Sequence, residues 1–103
     1  MSYIVRLTAE ALDDLRPIED FLFEMSLEHG DDDLPRRAVA AIRDQLRILS
    51  TNPFTCRKAG NDPHERELVI PFGGTGYIAL FRILGHAEVA VSALRHQREE
   101  DFH

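Results

Sequence analysis

Residues 77–84, Tyr-Ile-Ala-Leu-Phe-Arg-Ile-Leu, form an almost unbroken apolar run with Gly76 before it and Gly85 after it. The run is far shorter than the ~18 apolar residues a membrane span requires. Its β-branched and aromatic content suits a strand, and its near-continuity is that of a central strand covered on both faces. Such a strand needs a neighbour on each edge, and the flanking sequence offers both. Glu67-Leu68-Val69-Ile70-Pro71-Phe72 precedes it across a Gly73-Gly74-Thr75-Gly76 turn. Glu88-Val89-Ala90-Val91-Ser92-Ala93-Leu94-Arg95 follows after Gly85-His86, a link short enough for a tight hairpin. Two tight turns in succession predict a three-stranded antiparallel meander.

Upstream the hydrophobic period is helical. Leu12, Leu15, Ile18, Leu22 and Met25 recur at three- and four-residue steps, as do Ala38, Val39, Ile42, Leu46 and Leu49. Thr8 is placed to cap the first helix, with Glu10, Asp13 and Asp14 where the helix dipole favours acids. Pro17 removes one backbone donor and is expected to kink this helix near residues 13–16 or divide it. His29-Gly30-Asp31-Asp32-Asp33 reads as a stop and a solvated link, after which Pro35 suits a first helical turn. Asn52-Pro53 ends the second helix. Tyr3-Ile4-Val5-Arg6-Leu7-Thr8 alternates as a strand does and is expected to join the sheet. The fold expected is therefore α+β in the order β-α-α-β-β-β, a twisted antiparallel sheet with a helical hairpin on one face.

With 103 residues, the chain has enough material for one two-layer domain spanning 1–103. Its single cysteine, Cys56, excludes an internal disulfide and suits a reducing cytoplasm. The first six residues have neither the apolar core nor the cleavage site of a secretory signal. The formal net charge is −6, unevenly spread. Residues 1–53 hold six arginines against eleven acids, residues 54–98 hold six basic residues against four acids, and the last five residues add three acids. Generic phosphate binding favours a basic balance, so any nucleic-acid function would be local to the C-terminal half.

Several motifs have a structural explanation. Gly73-Gly74-Thr75-Gly76 lacks the spacing, lysine and following helix of a phosphate loop and reads as a turn. His64, His86, His96 and His103 lack metal-ligand spacing, and the Asp31–Asp33 run lacks the glycine and distal glutamate of a calcium loop. No metal or other cofactor is therefore expected. Cys56 has no neighbouring histidine and reads as a packing thiol, and Tyr77 and Phe81 read as core. Arg82, alone in its apolar strand, is expected to pair with a carboxylate such as Glu67 or Glu88.

Three phrases carry a resemblance. They are Leu7-Thr8 with Ala11 and Asp14-Leu15; Arg66-Glu67-Leu68 running through Pro71-Phe72-Gly73 and Gly76-Tyr77 to Phe81-Arg82-Ile83; and the ending Arg95-His96-Gln97-Arg98-Glu99-Glu100-Asp101-Phe102. In order and spacing they resemble the RelE/ParE superfamily of type II toxins, closest to its ParE-like, plasmid-stabilisation branch. The resemblance implies a cytoplasmic toxin neutralised by a cognate antitoxin, ParD-like with a ribbon-helix-helix or similar DNA-binding start. It also implies one of two targets, because ParE-like members poison DNA gyrase and RelE-like members cut messenger RNA on the ribosome.

RelE-like nucleases carry a basic residue shortly before the Gly-Tyr pair and a tyrosine near the C-terminus. Here those places hold the uncharged Pro71-Phe72-Gly73-Gly74 and Phe102. Phe102 can stack but cannot transfer a proton, so the reading favoured is a non-enzymatic toxin that inhibits gyrase. A ribosome-dependent endoribonuclease is the alternative. Cleavage would need a proton acceptor and cations around the phosphate, for which Arg66, Arg82 and His96 are the candidates, His96 alone titrating near neutral pH in its ordinary state. A second alternative is a non-toxic binding module in a complex of the same type. For target binding the candidates are Arg82, Arg95, His96, Arg98 and Phe102; for the antitoxin, Leu22, Met25, Val39, Ile42, Leu46 and Arg66. No membrane partner is expected.

Overall fold

A computed structural model of the chain describes residues 2–85 and 87–97, with Thr75 described in its backbone alone. The strands are β1 (Ile4–Leu7), β2 (Arg57–Lys58), β3 (Glu65–Phe72), β4 (Thr75–Leu84) and β5 (Glu88–His96). The helices are α1 (Ala9–His29) and α2 (Leu34–Leu46), with short 3₁₀ turns at Arg47–Ser50 and Pro53–Thr55. The sheet order is β1-β5-β4-β3-β2, which puts the apolar run at the centre as its composition demanded. The meander β3-β4-β5 is antiparallel throughout.

The N-terminal strand joins the sheet but changes its character. β1 lies parallel to β5, Ile4 opposite Glu88 and Leu7 opposite Val91, so the sheet is mixed and not wholly antiparallel. The connection between these parallel strands is the long one such a pair requires: it runs through both helices and the strands β2, β3 and β4 before β5 returns beside β1. The other edge carries β2, a two-residue strand opposite Arg66 and Glu67 that sequence pattern did not mark.

Thr8 caps α1 by accepting a hydrogen bond from the Ala11 amide at 3.2 Å, and Gly30 ends it in the left-handed region at φ 66°. Pro17 does not divide the helix, which runs continuously past it. Its buried face is Ala11, Ile18, Leu22 and Ser26, whereas Leu12 is 55 % exposed. The aspartate run is more than a linker. Asp31 and Asp33 hold Arg37 and Arg36 in ion pairs at the start of α2, where acids are favoured. The second apolar stripe outlasts its α-helix, which tightens into the 3₁₀ turn that places Leu49 in the core.

Both helices pack on one face of the sheet around Tyr77, Ala79, Phe81 and Ile83 of β4. Between Leu80 and Phe81 the β4–β5 register slips by one, leaving Ser92 as an extra residue. This bulge is why Leu94 and Val91, three residues apart, both face the helices. The β3–β4 loop is only Gly73-Gly74, with Gly73 at φ 59° as a two-residue hairpin requires. β4 and β5 close their ladder at Leu84 opposite Glu88, and Ala87, just before β5, has φ 61°.

Candidate functional site

The two ends of β4 carry different chemistry. At the Arg82 end the arginines and carboxylates are engaged with one another or with the backbone. The Arg82 guanidinium bonds Glu65 at 2.7 Å and Asp62 at 3.0 Å, not Glu67 or Glu88 as expected. Glu67 takes Arg57 and Glu88 takes Arg6. The reason is register: Glu65 lies directly opposite Arg82, while Glu67 lies opposite Leu80. The His64 amide donates to Asp62, and with the Arg82 charge this holds the Asp62 carboxyl below the usual carboxylate range.

Arg66 is committed more deeply. It points to the helix side of β3 and donates to three backbone carbonyls, those of Pro63 at 2.8 Å, Phe54 at 3.0 Å and Cys56 at 2.8 Å. Its guanidinium also lies over the Phe54 ring, 5.2 Å from the centroid. Arg66 thus clasps the irregular segment between α2 and β3 to the sheet. Cys56 packs against the core in that segment, and burial raises its thiol above the ordinary value, as a packing thiol requires.

The Tyr77 end is aromatic and open. Phe21 of α1, His96 of β5, Tyr77 and Phe72 form a continuous row of rings with successive centroids 6.0, 5.5 and 6.4 Å apart. Burial raises the Tyr77 hydroxyl above its ordinary value. Beside this row runs a groove of about 390 Å³, lined by Asp14, Pro17, Ile18 and Phe21 from α1 and by Tyr77, Leu94, Arg95 and His96. Asp14 spans from α1 to β5, its carboxylate accepting from the Leu94 amide at 3.0 Å beyond the point where β1 pairing stops. Gly76 is required here. A Cβ on it would stand 2.3 Å from the Ile70 carbonyl oxygen and 3.0 Å from Oε1 of Gln97.

The three nuclease candidates do not come together. Arg66 and Arg82 project from opposite faces of the sheet, as the register of Arg66 with Phe81 and of Glu65 with Arg82 requires. His96 lies opposite Tyr77, five residues along β4 from Arg82, a span of roughly 16 Å. Arg82 and Arg95 do not meet across adjacent strands either. Arg95 faces Ile78 and Arg82 faces Ala90, about 13 Å apart along the strand on the face away from the helices. Arg98 and Phe102 lie outside the described residues.

Of the antitoxin candidates, Arg66, half-buried, is engaged in the clasp, and Leu22, Ile42 and Leu46 are buried in the core. Met25 and Val39 are half-buried at its rim. Pattern reading missed Phe21 and Asp14 as site residues. Their signal was a second three-four spacing on α1, off the core face: 10, 14, 17, 21, 24 and 28.

Comparison with known proteins agrees with this architecture. The family model "ParE toxin of type II toxin-antitoxin system, parDE" matches residues 5–101. The chain belongs to the ParE toxin family. Among solved structures it is similar to a chain of the "Chromosomal ParDE TA system from P. aeruginosa", with TM-score 0.70, 20 % identity, and coverage of 92 % of this chain and 96 % of that one. At that identity the likeness is one of fold. No curated protein sequence matches. No helix among the described residues is long and apolar enough to cross a membrane.

Proposed function

We propose that this ParE-family chain is a toxin that acts by binding an essential protein, DNA gyrase, and is held inactive by a ParD-like antitoxin. The observation that carries the reading is the dispersal of Arg66, Arg82 and His96 described above, on a chain matched by the ParE family from 5 to 101. General acid–base cleavage needs its groups within reach of one phosphate. Both arginines of the three are instead tied into the fold by ion pairs or carbonyl bonds.

The target surface of this reading is the C-terminal half: Arg95, His96 and the segment with Arg98 and Phe102, with Arg82 of the same candidate set held back by Asp62 and Glu65. The antitoxin surface is the helical hairpin. Met25 and Val39 stay in it, joined by Leu12, Phe23 and Leu27 of α1, which are 55 %, 59 % and 67 % exposed. Apolar exposure of this size on a small domain marks a protein contact.

Induced expression of the chain without its antitoxin tests the target. Growth arrest with DNA breaks and loss of gyrase supercoiling is the expected result. Arrest with intact supercoiling and truncated messenger RNA would transfer the assignment to the endoribonuclease, and harmless expression of the folded chain to the binding module.

A further inference from the structure

The groove at the Tyr77 end has walls of unlike chemistry. Its apolar lining is Pro17, Ile18 and Phe21 on one side and Leu94 and Tyr77 on the other, and Asp14, Arg95 and His96 complete it, so the acids that outnumber Arg95 are those of α1. Phe21 is 48 % exposed, on a different strip of α1 from the more exposed Phe23 and Leu27. At 3.6 residues per turn, positions 10, 14, 17, 21, 24 and 28 fall on one narrow strip of α1. That strip reads Glu10, Asp14, Pro17, Phe21, Glu24, Glu28. Four acids therefore flank the apolar centre along roughly 27 Å of helix, with no base among them. Across α1 the balance is seven acids against Arg16. Among the described residues none of the seven acids of α1 forms an ion pair, and neither does Asp32, whereas Asp31, Asp33, Asp44, Asp62, Glu65, Glu67 and Glu88 all have arginine partners.

A chain that pairs so many of its other acids and leaves an acidic file beside an apolar groove is built to meet a cation. We propose that this groove docks a basic, apolar segment of a partner protein. A large apolar side chain enters beside Phe21 and over Leu94, and lysine or arginine residues on either side of it meet Glu10, Glu24 and Glu28. Charge complementarity selects this occupant. A second copy of this face would bring the same acids against themselves, and like charges across an interface are strongly disfavoured. The volume of about 390 Å³ is enough for anchoring side chains. The inference does not depend on whether the chain is toxic, because it concerns the sequence chemistry of whatever protein segment binds here.

The test uses the full chain, isotopically labelled, and two synthetic twelve-residue peptides sharing one Leu-Phe centre, flanked by lysine and arginine in one and by glutamate in the other. The basic peptide is expected to shift the amide resonances of Phe21, Leu94 and His96, with affinity falling several-fold as salt is raised. The variant carrying Glu24→Lys and Glu28→Lys, both exposed and outside the core, is expected to weaken it about tenfold. Phe21→Ser should weaken it comparably while leaving the spectrum elsewhere unchanged. Equal binding of the two peptides, binding that ignores the double variant, shifts located elsewhere, or no binding by either would each overturn the proposal. So would binding that appears only after residues 98–103 are removed, which would make the chain's own end the occupant. Concentration-dependent sedimentation that depends on Phe21 would overturn it in favour of a second copy.

Discussion

β4 runs from an aromatic end at Tyr77 to a charged end at Arg82, and the two ends handle their polar groups in opposite ways. At Arg82 the cations are consumed locally: one guanidinium by two carboxylates, another by three carbonyls. At Tyr77 the rings meet edge to face and a groove opens between helix and strand, with Asp14, Arg95 and His96 in its lining. An arginine count alone would put recognition at the first end. Geometry puts the available surface at the second, because a cation already satisfied by internal partners gains little by exchanging them. The lesson is that composition locates the charge but register decides who receives it.

The largest expected effect tests whether the Tyr77 end is as tightly specified as its packing suggests. Gly76→Ala would place a methyl 2.3 Å from the Ile70 carbonyl, a backbone atom that cannot swing away. The β3–β4 ladder must shift, at a cost of about 1–3 kcal/mol, read from denaturation midpoints. Hydrogen exchange should rise in residues 69–78 before it rises near Arg82. Unchanged stability would show that the aromatic end is loose.

Arg66→Ala should follow in size, at about 1.5–3 kcal/mol for a charged donor whose carbonyl partners lose it. The damage should be local: residues 53–65 should exchange and be proteolysed faster while β4 and β5 stay protected. Arg66→Lys, which keeps the charge and loses the fork, should recover only part of the loss. Full recovery with lysine would make the clasp a matter of charge alone.

The contrast between the ends was only half legible in the sequence. The central strand, the meander, the Thr8 and Gly30 caps and the core role of Tyr77 and Phe81 follow from local pattern, since period and turn residues are set by neighbours in the chain. Three features escape such reading. The parallel pairing of β1 depends on which edge of the finished meander it meets, and that is set by β5 at the far end of the chain, which Tyr3–Thr8 does not encode. The partner of Arg82 depends on register, and a shift of two residues would have delivered Glu67 as expected. Phe21 was hidden because the core stripe through Ile18 and Leu22 is the stronger signal on the same helix. The family phrases conveyed the fold but not which of their arginines the fold would consume.

A smaller effect distinguishes the ends by alkali. Burial raises the Tyr77 hydroxyl, so the folded state favours the neutral phenol. Its contribution is fully present below the ordinary tyrosine value of about 10 and is lost as pH rises through the higher folded value. Stability should therefore decline above pH ~10 in the parent and less steeply in Tyr77→Phe. Identical alkaline limbs would place the ring in water.

The smallest effect belongs to the ion pairs. Arg82 is 47 % exposed in its side chain, and exposed pairs contribute little, so Arg82→Ala should move the thermal midpoint by no more than a few degrees. The sign with pH is fixed by Asp62. Its folded carboxyl titrates below the ordinary range, so the stabilisation it gives is present above the ordinary value of ~4 and is lost as pH falls through the lower folded value. Parent and variant curves should thus differ slightly at neutral pH and converge in acid. If Arg82→Ala instead abolished toxicity at unchanged stability, the guanidinium would be acting on the target despite its carboxylate partners, and the division between a closed charged end and an open aromatic end would have to be redrawn with Arg82 on the side of recognition.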